Sequence, residues 1–135
     1  MSVQAESNRR PGNPEHIAIS NAVVELLRDY TGRGATRAHT TMRDNVVMVM
    51  LEQTLTKGER VLVDKGRGEQ VLRLRHEYQE AMREQASARV TQITGQTVIA
   101  MMSANHLDPD LAVEIFVLGK PYEHQTNGHA APAYT

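Results

Sequence analysis

The residues in this chain best suited to chemistry by type and spacing are Gly32, Arg33 and Gly34, with Arg37 and Arg43 close behind. Backbone N–H groups of a glycine loop beside guanidinium groups hold phosphate or carboxylate. These five residues are therefore the candidate anion- or ligand-binding site. The order of elements argues against a nucleotide loop. Phosphate-binding glycines follow a strand and open a helix, whereas these close a helix and lead into a strand. A helix stop followed by a turn accounts for the same residues.

His106, Asp108 and Asp110 offer metal-ligand chemistry within a short stretch. A turn rich in Asx side chains, each bonding its own backbone, explains them equally, and no second ligand cluster has a defined spacing, so no metal site and no cofactor is assigned. Glu52 and Glu114 lie in or beside apolar runs, where desolvation would raise a carboxyl pKa toward general-acid range, although edge exposure is the simpler account. No serine sits in a nucleophile elbow and no histidine has an evident acid orienter. Cysteine is absent, which removes disulfides, thiolate zinc sites and cysteine nucleophiles. A non-catalytic protein is expected.

The elements that must carry these residues can be read from periodicity and capping. Asn13-Pro14 looks like an N-cap with proline at the first helical position, and Ile17, Val23, Val24, Leu27 and Tyr30 recur at helical spacing, so a helix is predicted over 14–30, stopped by Gly32. The period then changes to two. Residues 36–43 and the apolar run Val46–Leu51, joined by Asp44-Asn45, predict a hairpin whose second strand is interior to a sheet. Thr56 and Glu59 form a capping box opening a short helix to about Lys65. A long helix follows over 69–94, its apolar positions at Val71, Leu74, Tyr78, Met82, Val90 and Ile93, and Gly95 ends it. Arg73, Arg75, Arg83 and Arg89 alternate with Glu69, Glu77, Glu80 and Glu84 and read as a solvated face. Residues 97–104 and 111–118, separated by the turn-forming 105–110, make a second hairpin.

The expected fold class is α+β, in the order α-β-β-α-α-β-β, with a four-stranded, largely antiparallel sheet and helices packed on it. At 135 residues the chain is expected to be one domain, with disordered polar tails over 1–13 and 120–135 and a single core over 14–119. Met42, Met48, Met50, Met82, Met101 and Met102 are expected to fill that core. A formal net charge of −1 and 4% aromatic content give no global attraction to nucleic acid, so such binding would need a local patch. No stretch is long and apolar enough to span a membrane, and the start has no apolar export region, so a cytoplasmic protein is expected.

Several stretches together resemble a known family: "YTGRGATRA" over 30–38, "VVMVMLEQTLTKGE" over 46–59, "TGQTV" over 94–98 and "DPDLAVEIFVL" over 108–118. The chain is identified by resemblance as MpsC-like from about Ile17 to Leu118. The best matches are Gly32, Arg33, Gly34, Leu55, Thr56, Glu59, Gly95, Asp110, Phe116 and Leu118, while Ala35 stands where the family commonly carries proline. The resemblance implies association with a sodium-linked system that generates membrane potential and includes membrane components tied to bicarbonate uptake. It implies no activity of its own.

The leading expectation is an accessory or regulatory protein that acts through protein contacts, cytoplasmic or at the inner face of the membrane without stable insertion, with membrane transport components among its partners. The alternative is a ligand- or RNA-binding module that uses Gly32–Arg43 as a basic lip. A homodimer through the sheet is also expected. Both faces of Val46–Leu51 and Leu111–Leu118 are apolar, and helices on one side would leave the other exposed. The competing arrangement places the first and the long helix on opposite faces of the sheet, as a three-layer monomer.

Overall fold

The computed structural model describes residues 13–122; of the tails expected over 1–13 and 120–135, residues 1–12 and 123–135 lie outside the described residues. Helix α1 (Pro14–Thr31) opens where the Asn13 side chain accepts from the Glu15 N–H at 2.8 Å, and it closes at Gly32 in the left-handed region (φ 86°). Strands β1 (Arg37–Arg43) and β2 (Val46–Glu52) follow as a hairpin, then α2 (Lys57–Asp64) and α3 (Gly68–Thr94), then β3 (Val98–His106) and β4 (Leu111–Leu118). The reciprocal Thr56–Glu59 capping box is present, and Gly95 (φ 75°) ends α3. The strands form one antiparallel sheet in the order β1-β2-β4-β3, so the apolar runs of β2 and β4 occupy its centre. The fold is α+β in the expected element order.

Both long helices lie on the same face of this sheet. Val23 and Leu27 of α1 and Met82 and Val90 of α3 join one core with Val47, Val49, Leu51, Phe116 and Leu118. That packing overturns the three-layer arrangement, because the residues of α1 and α3 meet the same alternate positions of the strands. Beyond β4 the Tyr122 N–H donates to the Asp44 carbonyl at 3.1 Å, and Tyr122 packs against the core.

The two hairpins are built alike. Thr31 and Thr94 occupy the last position of α1 and α3, and each hydroxyl bonds the carbonyl four residues back, at 2.8 Å in both cases. Gly32 and Gly95 follow, each N–H bonding the carbonyl four residues back at 2.8 Å. The same offset that carries Gly32 onto Gly95 carries Arg37 onto Ala100 and Arg43 onto His106. The strand partners follow suit: Arg37 faces Glu52 as Ala100 faces Val117, and Arg43 faces Val46 as His106 faces Leu111. Val49 and Glu114 face each other at the centre, where β2 meets β4.

Candidate functional site

The face of the sheet away from the helices is open. Its side chains fall in rows across the four strands: Arg37, Glu52, Leu111, His106; then His39, Met50, Val113, Ala104; then Thr41, Met48, Ile115, Met102; then Arg43, Val46, Val117, Ala100. The alternation that buries Val47, Val49, Leu51 and Phe116 under the helices presents the apolar residues of β2 and β4 on this side. Val46 and Met102 are exposed, and the β-bulge between Val98 and Ala100 leaves Ile99 64% exposed. Met50, Ala104, His106, Leu111 and Val113 line a shallow depression of about 330 Å³. Met82 and Met101 do fill the core, but Met48, Met50 and Met102 belong to this open face, a correction to the expected placement.

The predicted anion-site residues lie around one edge of that face. The Gly32 N–H is taken by the Arg28 carbonyl, and the Arg33 N–H donates to the Thr31 hydroxyl at 3.1 Å. The Arg33 Nε donates to the Gln53 carbonyl at 2.9 Å, tying the loop to the end of β2. Gly34 is packed so tightly that a Cβ there would lie 2.8 Å from Cγ1 of Val24. Arg37 and Arg43 sit at opposite ends of β1, exposed on the open face with His39 and Thr41 between them. At roughly 3.3 Å per residue their Cα atoms lie about 20 Å apart, a spacing that matches an extended charged surface better than one small anion.

His106, Asp108 and Asp110 do not converge. The His106 Nδ1 bonds the Pro109 carbonyl at 2.8 Å. The Asp110 carboxylate turns the other way, accepting from the N–H groups of Thr54 and Leu55, each at 3.1 Å, with the Arg60 guanidinium at 3.5 Å. Among the described residues no three His, Asp or Glu side chains are grouped as metal ligands.

Beneath the sheet runs a buried polar seam that periodicity did not reveal. Arg75, expected on a solvated face, is 1% exposed on the core side of α3. Its Nη1 donates to Oε1 of Glu59 at 3.2 Å and to the Thr54 carbonyl at 3.3 Å, and Nη2 donates to the Thr54 hydroxyl at 2.8 Å. The other Glu59 oxygen is buried with no hydrogen-bond partner among the described residues. One turn along α3, Gln79 and Asn105 exchange amide hydrogen bonds at 3.0 Å, and Gln79 Nε2 also donates to Oε2 of Glu114 at 3.2 Å. The Ser103 hydroxyl donates to the other Glu114 oxygen. Edge exposure, the simpler sequence account of Glu114, is wrong, since its side chain is 1% exposed. Burial raises its pKa from 4.5 to about 7, against the lowering effect of Ser103, Gln79, Arg75 and Arg83. The only sequence signal for this seam was an acid in the middle of a strand apolar on both faces.

Among the described residues no helix is long and apolar enough to cross a membrane. No curated protein and no solved structure matches the chain. Residues 16–120, most of the chain, match the family model described as Na+-translocating membrane potential-generating system (MpsC), and the chain belongs to that family.

Proposed function

We propose that this chain is a non-catalytic accessory or regulatory protein that acts through the open face of its sheet, self-associates there as a homodimer, and serves beside membrane components of a sodium- or bicarbonate-linked, potential-generating system at the cytoplasmic side. The observation that carries this reading is the apolar face itself. Met48, Met50, Val113 and Ile115 stand on it without a covering helix, in a family whose description names a membrane-potential system. An apolar sheet face of this kind marks an interaction surface. Affinity purification of the tagged chain from its own cells should recover membrane transport components, and Met48→Glu should lose them. Recovery of nucleic acid or metabolic enzymes alone would count against the reading.

A second reading is favoured by the side-by-side display of Arg37, His39 and Arg43 on β1: a module that binds an extended polyanion such as RNA. Such binding would weaken steeply with salt. Equal binding after Arg37→Ala and Arg43→Ala, or none at low salt, would exclude it.

A further inference from the structure

Size, relief and charge together restrict what can cover the open face. The apolar field spans β2, β4 and β3, about 14 Å across at roughly 4.8 Å per strand, and its four rows run about 20 Å along the strands at roughly 3.3 Å per residue. That footprint of about 300 Å² is well under the ~800 Å² per partner of a standard interface between folded chains, so a second copy there is weakly held and easily displaced. It is instead the footprint of a single α-helix, roughly 10–12 Å wide with its side chains and about 14 residues long. Nor is the field flat. The small side chain of Ala104 stands among Met50, His106, Leu111 and Val113, which line the depression of about 330 Å³. One bulky apolar side chain projecting from a partner fills such a hollow, and the even surface of a bilayer does not.

The charge is one-sided. β1 bears Arg37, His39 and Arg43 along one margin of the field, Glu52 beside Arg37 is the one acid in the four rows, and β3 presents Ala100, Met102 and Ala104 along the other margin. Complementarity therefore asks for acid on the β1 flank of the occupant alone. Neither end of this chain supplies it: residues 1–12 hold Glu6 with Arg9 and Arg10, and residues 123–135 hold a single acid, Glu123. We infer, resting on the reading above, that the open face receives one amphipathic helix of a partner protein. Its apolar stripe lies along β4, one large apolar side chain enters the depression beside Ala104, and carboxylates on one flank meet Arg43 and Arg37. Those two arginines stand about 20 Å apart, so the answering carboxylates lie about three to four helical turns apart.

The test uses two synthetic helical peptides of about 16 residues, with leucine along one stripe and a central phenylalanine, differing only in glutamate or lysine along one flank. Titrated against the full chain by fluorescence anisotropy at low salt, the glutamate peptide should bind with a Kd of about 10–100 μM and the lysine peptide roughly tenfold or more weakly. Arg43→Glu should reverse that order. Ala104→Trp, which fills the depression, should weaken the glutamate peptide roughly tenfold or more, with thermal melts showing each variant folded. Methyl NMR of the unmodified chain gives a readout free of substitutions: Met48, Met50 and Met102 should shift on adding the glutamate peptide, and the buried Met82 should not. Equal affinity for the two peptides, an order that Arg43→Glu leaves unchanged, or shifts confined to other residues overturns the inference. So does binding of phosphatidylglycerol vesicles or of a short RNA at these methionines when neither peptide binds. If the purification described above still recovers membrane components through Met48 in that case, the helix fails and the open-face reading stands; if Met48→Glu loses nothing, that reading fails as well.

Discussion

Arg75 is the side chain whose loss should cost most. Its guanidinium is the only cation bonded to the buried Glu59 carboxylate among the described hydrogen bonds, and Glu59 already has one oxygen without a partner. Breaking a buried pair by removing one member leaves an uncompensated charge, so Arg75→Leu should destabilise by about 3–5 kcal/mol in urea denaturation. A loss under about 1 kcal/mol would mean that water reaches Glu59. Glu114 makes a prediction of opposite character. Because burial raises its pKa from 4.5 to about 7, the folded chain between those values holds a proton that the unfolded chain has released. Stability from this group is therefore greatest below pH 4.5, falls as pH rises to about 7, and is level above, with a total on the order of 3 kcal/mol. Glu114→Gln should remove that slope and make the protein more stable than the parent at pH 8. An unchanged slope would show that other groups set it.

At the scale of elements, the helix ends were legible because capping is local chemistry. Asn13-Pro14, the Thr56–Glu59 box, Gly32 and Gly95 act within one turn of themselves, and each stands where the sequence placed it. Thr56→Ala should accordingly cost about 1 kcal/mol, measured by chemical denaturation. Gly34 offers a sharper test of the loop. A Cβ there meets Cγ1 of the stiff, β-branched Val24 at 2.8 Å and Nη2 of Arg28 at 3.3 Å, so Gly34→Ala should lose about 1–3 kcal/mol although the residue's conformation is ordinary. Little change in melting would mean that α1 can shift. The core face of α3 was not legible for the complementary reason. Arg75 and Gln79 hold positions that periodicity assigns to apolar residues, while Leu74 is 41% exposed, and what makes these polar groups tolerable comes from Thr54, Glu59, Asn105 and Glu114 on other elements. Tertiary partners of that kind leave no mark on a local pattern. Strand order was likewise hidden, because both hairpins are local and only the β2–β4 ladder joins them.

At the scale of the molecule, the sheet has two sides with different tasks: one buries the helices, and the other presents a basic edge beside an apolar field. The likeness of the two hairpins adds something about time. A helix closed by Thr-Gly, followed by a hairpin with the same partners, occurs twice, and the halves meet at Val49 and Glu114 as two separate molecules would meet across a symmetry axis. Duplication and fusion of a helix–hairpin peptide that paired with an identical copy through its second strand would account for this arrangement, with α2 as the join. The halves differ in chemistry at corresponding positions: Arg37 against Ala100, His39 against Met102, Val49 against Glu114. An alignment of many family members, first half laid on second, should superpose Thr31-Gly32 on Thr94-Gly95 and show residual similarity along the strands. If the halves prove no more alike than shuffled sequences, the shared register arose by convergence on a favourable sheet geometry.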